Sequence, residues 1–131
     1  MRYMMVVKAP ENFEKFGPPP KELMDAIGRL GEEAFKAGKM VSMGGLQRSS
    51  EGAIVRVKDG KISVIDGPFT ESKEIIGGFS IMNLASKAEA IEEARRFMDL
   101  HAKFWPGWEA DCEVRAMYED NTAGSPDCGA P

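Results

Sequence analysis

Ala53-Ile54-Val55-Arg56-Val57-Lys58-Asp59-Gly60-Lys61-Ile62-Ser63-Val64-Ile65-Asp66 reads as one β-hairpin. Two runs rich in β-branched residues flank Asp59-Gly60. A two-residue type I′ turn needs positive φ at both central positions, which Asp and Gly tolerate. Upstream, residues 2–8 are mostly apolar and predict a strand covered on both faces. Glu11 to Pro20 reads as a loop stiffened by Pro18-Pro19-Pro20. Leu23, Met24, Ile27, Leu30, Ala34 and Phe35 recur at helical spacing, predicting a helix from about Pro20 to Ala37 that Gly38 stops. Met40 to Gln47 predicts the next strand, with Gly44-Gly45 marking a bulge or a close approach to the backbone. Downstream of the hairpin, Gly78 to Leu84 predicts a strand. Ser86 with Glu89 is a capping box opening a helix to about Lys103. Pro106-Gly107 ends it, and Ala110 to Tyr118 predicts the last strand.

The order is therefore β-α-β-β-β-β-α-β. Setting the hairpin aside as an insertion leaves βαβ–βαβ, an α+β fold of the ferredoxin-like kind. Residues 1–119 form the expected domain, and 120–131, polar and rich in small residues, the expected disordered tail. Two helices cover one face of a sheet only. Yet Tyr3, Met5 and Val7 alternate with Met4 and Val6, and Phe79 and Ile81 with Met82 and Leu84, so both faces are apolar. The simplest second cover is another copy of the chain related by a two-fold axis, which predicts a homodimer with its sheets packed together. Nine methionines suit an adaptable core or a pocket lining.

Composition excludes several classes of function. The chain has 131 residues, 43% hydrophobic and 29% charged, and a net charge of −4 with no basic block. Nucleic acid and anionic membranes are not expected partners. The apolar N-terminal run is too short for a signal peptide, and no run approaches the ~20 residues of a membrane span. One histidine and two cysteines do not make a zinc site, so neither metal nor cofactor is expected. Cys112 falls in a strand and Cys128 in the tail, which predicts two free thiols and a cytoplasmic protein.

Residues 66–79 carry the densest chemistry: Asp66-Gly67-Pro68-Phe69-Thr70-Glu71-Ser72-Lys73-Glu74-Ile75-Ile76-Gly77-Gly78-Phe79. Gly67-Pro68 forces a turn. Thr70 is placed to cap a short helical turn over Glu71 to Glu74, and Gly77-Gly78 release the chain into the following strand. Four ionisable groups, Asp66, Glu71, Lys73 and Glu74, lie within nine residues. One reading is a tight connection with a solvated charged face. The other is a loop aiming carboxylates and an ammonium into a pocket, where burial and opposite charge tune their pKa values.

At this segment the chain resembles the YCII-related, or DGPF-domain, proteins. The resemblance runs over roughly residues 1–119. It includes Arg2-Tyr3-Met4, Gly45-Leu46-Gln47, the hairpin before Asp66, and Trp105-Pro106-Gly107-Trp108-Glu109. It implies a dimeric α+β barrel of ferredoxin-like halves. It marks Asp66 as a candidate catalytic residue and Gly67, Pro68, Phe69, Glu71, Lys73 and Glu74 as candidate ligand-binding residues. Some members of the group are thought to use a histidine–aspartate pair with the histidine early in the chain. Residues 1–100 contain no histidine, so that pair does not carry over. The resemblance also implies a regulatory role linked to sigma-type transcription factors.

His101 is the chain's single histidine and a second candidate catalytic residue. It lies on the apolar stripe of the second helix, one turn before Trp105. It is either a core-edge histidine satisfied by a backbone carbonyl or an acid–base group at a pocket mouth walled by Phe104, Trp105 and Trp108. Trp105 is a candidate ligand contact. Two functions follow: a cofactor-independent enzyme moving protons on a small apolar or carbonyl-bearing molecule, or a non-catalytic ligand-binding or regulatory module.

Overall fold

A computed structural model describes residues 1–10, 17–69 and 74–118. The elements in order are β1 (Arg2–Pro10), α1 (Lys21–Lys36), β2 (Met40–Gly45), a 3-10 turn (Ser49–Glu51), β3 (Ala53–Lys58), β4 (Lys61–Asp66), β5 (Glu74–Asn83), α2 (Lys87–Phe104) and β6 (Asp111–Ala116). Four strands form one antiparallel sheet in the order β2-β5-β1-β6, and β3 and β4 form a separate two-stranded ribbon. This is the mixed α+β, ferredoxin-like arrangement with an inserted hairpin that the element order predicts. The expected tail lies outside the described residues.

Local chemistry sets the boundaries. Pro20 precedes α1, where its missing N–H is no loss. At the other end Gly38, at φ 74°, donates to the Phe35 carbonyl at 3.1 Å. The Ser86 cap opening α2 is formed, Ser86 Oγ accepting from the Glu89 N–H at 3.2 Å, while the Glu89 carboxylate reaches back to the Ala85 N–H at 3.1 Å, one residue before the cap. Asp59 and Gly60 turn the ribbon with φ of 53° and 74°.

Several boundaries differ from the sequence reading, among them those of β6, which runs Asp111–Ala116 and not Ala110–Tyr118. β5 starts at Glu74, four residues before the expected Gly78, because β1 continues to Pro10 and pairs Ala9 with Ile75 and Pro10 with Glu74. Gly77 and Gly78 thus lie within a strand, where ladder pairing outweighs their weak β-propensity. Glu74 is extended rather than helical; the rest of the expected short turn, 70–73, lies outside the described residues. Register shifts fall between Met40 and Ser42 and between Val7 and Lys8, not at Gly44-Gly45. The close approach expected at Gly44 is present: a Cβ there would come 3.3 Å from the Phe79 ring. β2 ends at Gly45 rather than Gln47.

The two faces of the sheet are unequal. Tyr3, Met5, Val7 and Ala9 point to the helices and are buried, and Tyr3 and Met5 pack with Met82, Leu84, Ala90 and Ala94. Met4 and Val6 point the other way, opposite Ile81 and Phe79, and all four are half-buried. The ribbon pairs Val55 with Val64 and Val57 with Ile62, each 65–69% exposed. An ion pair joins the helices, Arg96 meeting Glu33 at 3.2 Å, and Lys39 and Arg96 flank Glu93 at 3.8 and 3.6 Å.

Candidate functional site

Between the sheet and the helices lies a chamber of about 790 Å³. Its floor includes Met5, Met43, Met82 and Cys112. Ile27 and Leu30 of α1 form one wall, and Phe97, His101, Trp105 and Trp108 another. Methionines give such a lining adaptability, and a concave apolar space with a few polar groups is the usual form of a small-molecule site.

His101 and Ser49 are the buried polar residues among those described, at 7% and 5% exposure. The imidazole belongs to an aromatic stack. Phe97 is tilted against it at 4.6 Å, Trp108 stacks on it at 4.7 Å and 26°, and Trp105 stacks on Trp108 at 5.0 Å and 3°. Phe97 sits one turn earlier in α2, Trp105 caps the end of that helix, and Trp108 follows the point where Pro106-Gly107 turns the chain. His101 Nδ1 lies 3.0 Å from the Phe97 carbonyl oxygen. A carbonyl only accepts, so Nδ1 carries the proton and Nε2 is left as a lone-pair base. No described residue hydrogen-bonds to Nε2. Burial pushes the pKa of His101 below its ordinary 6.5, outweighing the carbonyl bond, which raises it. The group is therefore a neutral base at pH 7.

His101 and Trp108 also wall a second, polar cavity of about 550 Å³ that includes Lys8, Glu74, Glu109 and Asp111. Lys8 Nζ lies 2.9 Å from Glu113 and 3.5 Å from Glu74. Glu113 also receives Arg115 at 3.2 Å. The bonds from Lys8 and Arg115 hold the Glu113 carboxyl below the usual range, and the bond to Glu113 raises Lys8.

The sequence-derived candidates are thus divided in space. His101 and Trp105 line the chamber, and His101 and Glu74 line the polar cavity. Asp66 is exposed and lines neither. Gly67, Pro68 and Phe69 lie at the end of the ribbon, beside the 3-10 turn, and Gly67-Pro68 is a cis peptide. Glu71 and Lys73 fall outside the described residues. Phe104, expected beside Trp105, lines neither cavity. Missed by sequence reasoning were Met43 and the segment Arg48–Glu51, which contributes Arg48, Ser50 and Glu51 to the chamber. Nothing in its composition marks that segment. Cys112 faces the chamber with its thiol pKa pushed up by burial, so it is a weak nucleophile. Among the described residues no three His, Cys, Asp or Glu side chains are grouped as metal ligands, and no helix is long and apolar enough to cross a membrane.

Comparison with known proteins supplies a family. Residues 1–101 match the YCII-related domain. A 75-residue stretch is 32% identical to an uncharacterized protein of Rhizobium meliloti (strain 1021), covering 57% of this chain and 60% of that protein. The match thus spans less than two thirds of the relative's length.

Proposed function

The chain belongs to the YCII-related domain family, and within it we propose a small-molecule chamber in which His101 acts as a general base on a flat, largely apolar, carbonyl-bearing ligand. The observation that carries this reading is the state of His101: buried in the wall of an apolar cavity, fixed through Nδ1, and with no described residue bonded to Nε2. A base of lowered pKa is unprotonated at neutral pH, and an apolar surround disfavours competing water. The aromatic stack favours a planar ligand. A bicyclic ligand burying roughly 200 Å² of apolar surface gains about 5 kcal/mol from desolvation. Losses on association leave affinities on the order of micromolar to millimolar.

The proposal includes a second copy of the chain. The half-buried row Met4, Val6, Phe79 and Ile81 and the exposed Val55, Val57, Ile62 and Val64 support a homodimer closed over the outer face of the sheet. A cytoplasmic setting fits the free thiol of Cys112.

The test uses 2-tetralone, a bicyclic aromatic ketone with acidic α-protons. Quenching of Trp105 and Trp108 emission reads binding, and exchange of the α-protons with D2O, followed by NMR, reads proton transfer. His101→Gln is expected to bind within a few-fold of wild type and to lose at least about a hundredfold in enzyme-dependent exchange. Exchange equal in both proteins sinks the catalytic role, and no quenching in wild type sinks the chamber. Binding without any exchange favours the second reading, a non-catalytic ligand-binding module. The position of Asp66, away from both cavities, supports that alternative.

A further inference from the structure

Gly67 and Phe69, just after the end of β4, grip the 3-10 turn. The Gly67 N–H donates to the Gly52 carbonyl at 3.0 Å, and the Phe69 N–H donates to Ser49 Oγ at 3.1 Å. Ser49 is buried, and its carbonyl accepts from the Gly52 N–H at 2.9 Å. The approach is so close that a Cβ on Gly67 would land on the Ser49 carbonyl oxygen. The Phe69 ring lies over the same turn, where a Cβ on Gly52 would come 3.3 Å from its Cζ. Two motif positions thus have a packing reason: no side chain fits at Gly67, and the Phe69 ring covers the turn.

The turn so gripped carries Ser50 and Glu51, with Arg48 immediately before it, and all three line the chamber. We propose that Gly67–Phe69 is a clasp that positions the Arg48–Glu51 edge of the chamber, so that the most distinctive sequence in the chain acts through that edge and not by chemistry of its own. Gly67, Phe69 and Ser49 are positioning residues in this account. The clasp takes its functional meaning from the chamber reading above, but its geometry does not depend on it.

Cys112 reports on the chamber from inside. The experiment measures N-ethylmaleimide labelling of Cys112 at fixed pH, in the full chain with Cys128→Ser to silence the other thiol. Amide hydrogen exchange is followed in parallel. Ser49→Ala removes the acceptor for the Phe69 N–H. It is expected to speed labelling about five- to tenfold, the change in an opening equilibrium when one hydrogen bond is lost. Amides of residues 48–52 should exchange faster by a similar factor while those of β1 and β5 hold their rates. Ser49→Thr, which keeps the hydroxyl, should stay near wild type. Gly67→Ala should exceed Ser49→Ala; if it does not fold, Ser49→Ala decides alone. Unchanged labelling and unchanged exchange at 48–52 overturn the clasp, as does a uniform rise that includes β1 and β5. Failure of wild type to bind 2-tetralone would remove the chamber reading and leave these measurements intact.

Discussion

Ser49 and His101 are both buried polar side chains, but their hydrogen bonding differs. Ser49 is committed to the backbone: its hydroxyl accepts from Phe69 and its carbonyl from Gly52. His101 spends one nitrogen on the Phe97 carbonyl, and no described residue bonds the other. Burying a polar group without a partner costs free energy. A group with its bonds made is explained by folding. One that keeps a lone pair beside a cavity calls for a ligand. The contrast separates a structural region, the turn held by the residues after β4, from the proposed chemical one at the end of α2.

The strongest way to break the contrast is Gly67→Val. A branched side chain must displace the Ser49 carbonyl, and overpacking of this kind costs about 2–4 kcal/mol in urea unfolding. A variant as stable as wild type would show that the turn yields freely and that the clasp is not one.

In the other region, His101→Phe keeps the ring contacts with Phe97 and Trp108 and removes the polar atoms. It is expected to change stability at pH 7 by less than about 1.5 kcal/mol while abolishing α-proton exchange. A large loss of stability would make His101 a second Ser49.

The pH dependence sharpens the difference. The folded pKa of His101 lies below its unfolded 6.5. The folded state therefore binds the proton less readily than the unfolded chain. This contribution to stability is fully present above pH 6.5 and is lost as pH falls through the folded value. The urea midpoint of wild type should drop below pH 6.5, and His101→Phe should flatten that drop. Glu113 has the same sign in a lower window: its depressed carboxyl contributes above its ordinary 4.5 and loses that contribution in acid. Its side chain is half-buried and partly screened by solvent, so it gives the smaller effect.

Much of the fold was legible because local signals agreed with one another. Asp59-Gly60, the Ser86 cap and Gly38 each specify backbone geometry by chemistry within a few residues, and all three are formed. The start of β5 was not legible, since only its pairing with β1 carries the strand through Ile75, Ile76, Gly77 and Gly78. His101 and Trp105 could be found at the site because helical spacing and an aromatic cluster point there. The separation of Asp66 from His101 could not, because it depends on where the ribbon leaves the sheet. The Arg48–Glu51 edge was hidden for a similar reason: its place beside the chamber comes from a contact with residues 67–69, eighteen positions away in the chain for Ser49 and Gly67.

The outer face gives a milder test. Ile81→Glu puts a charge in the half-buried row with Met4, Val6 and Phe79. It should convert a dimer to a monomer in sedimentation while leaving the α2 stack intact. A single-copy species in the wild type at micromolar concentration would remove the proposed second cover.

The most direct measurement follows the lone imidazole itself. Nitrogen-15 NMR of His101, titrated with and without 2-tetralone, reports its tautomer and its pKa together. The account predicts a neutral ring protonated on Nδ1, a pKa below 6.5, and a shift of the Nε2 resonance when the ketone binds. A ring protonated on Nε2, or an ordinary pKa unmoved by ligand, would contradict it.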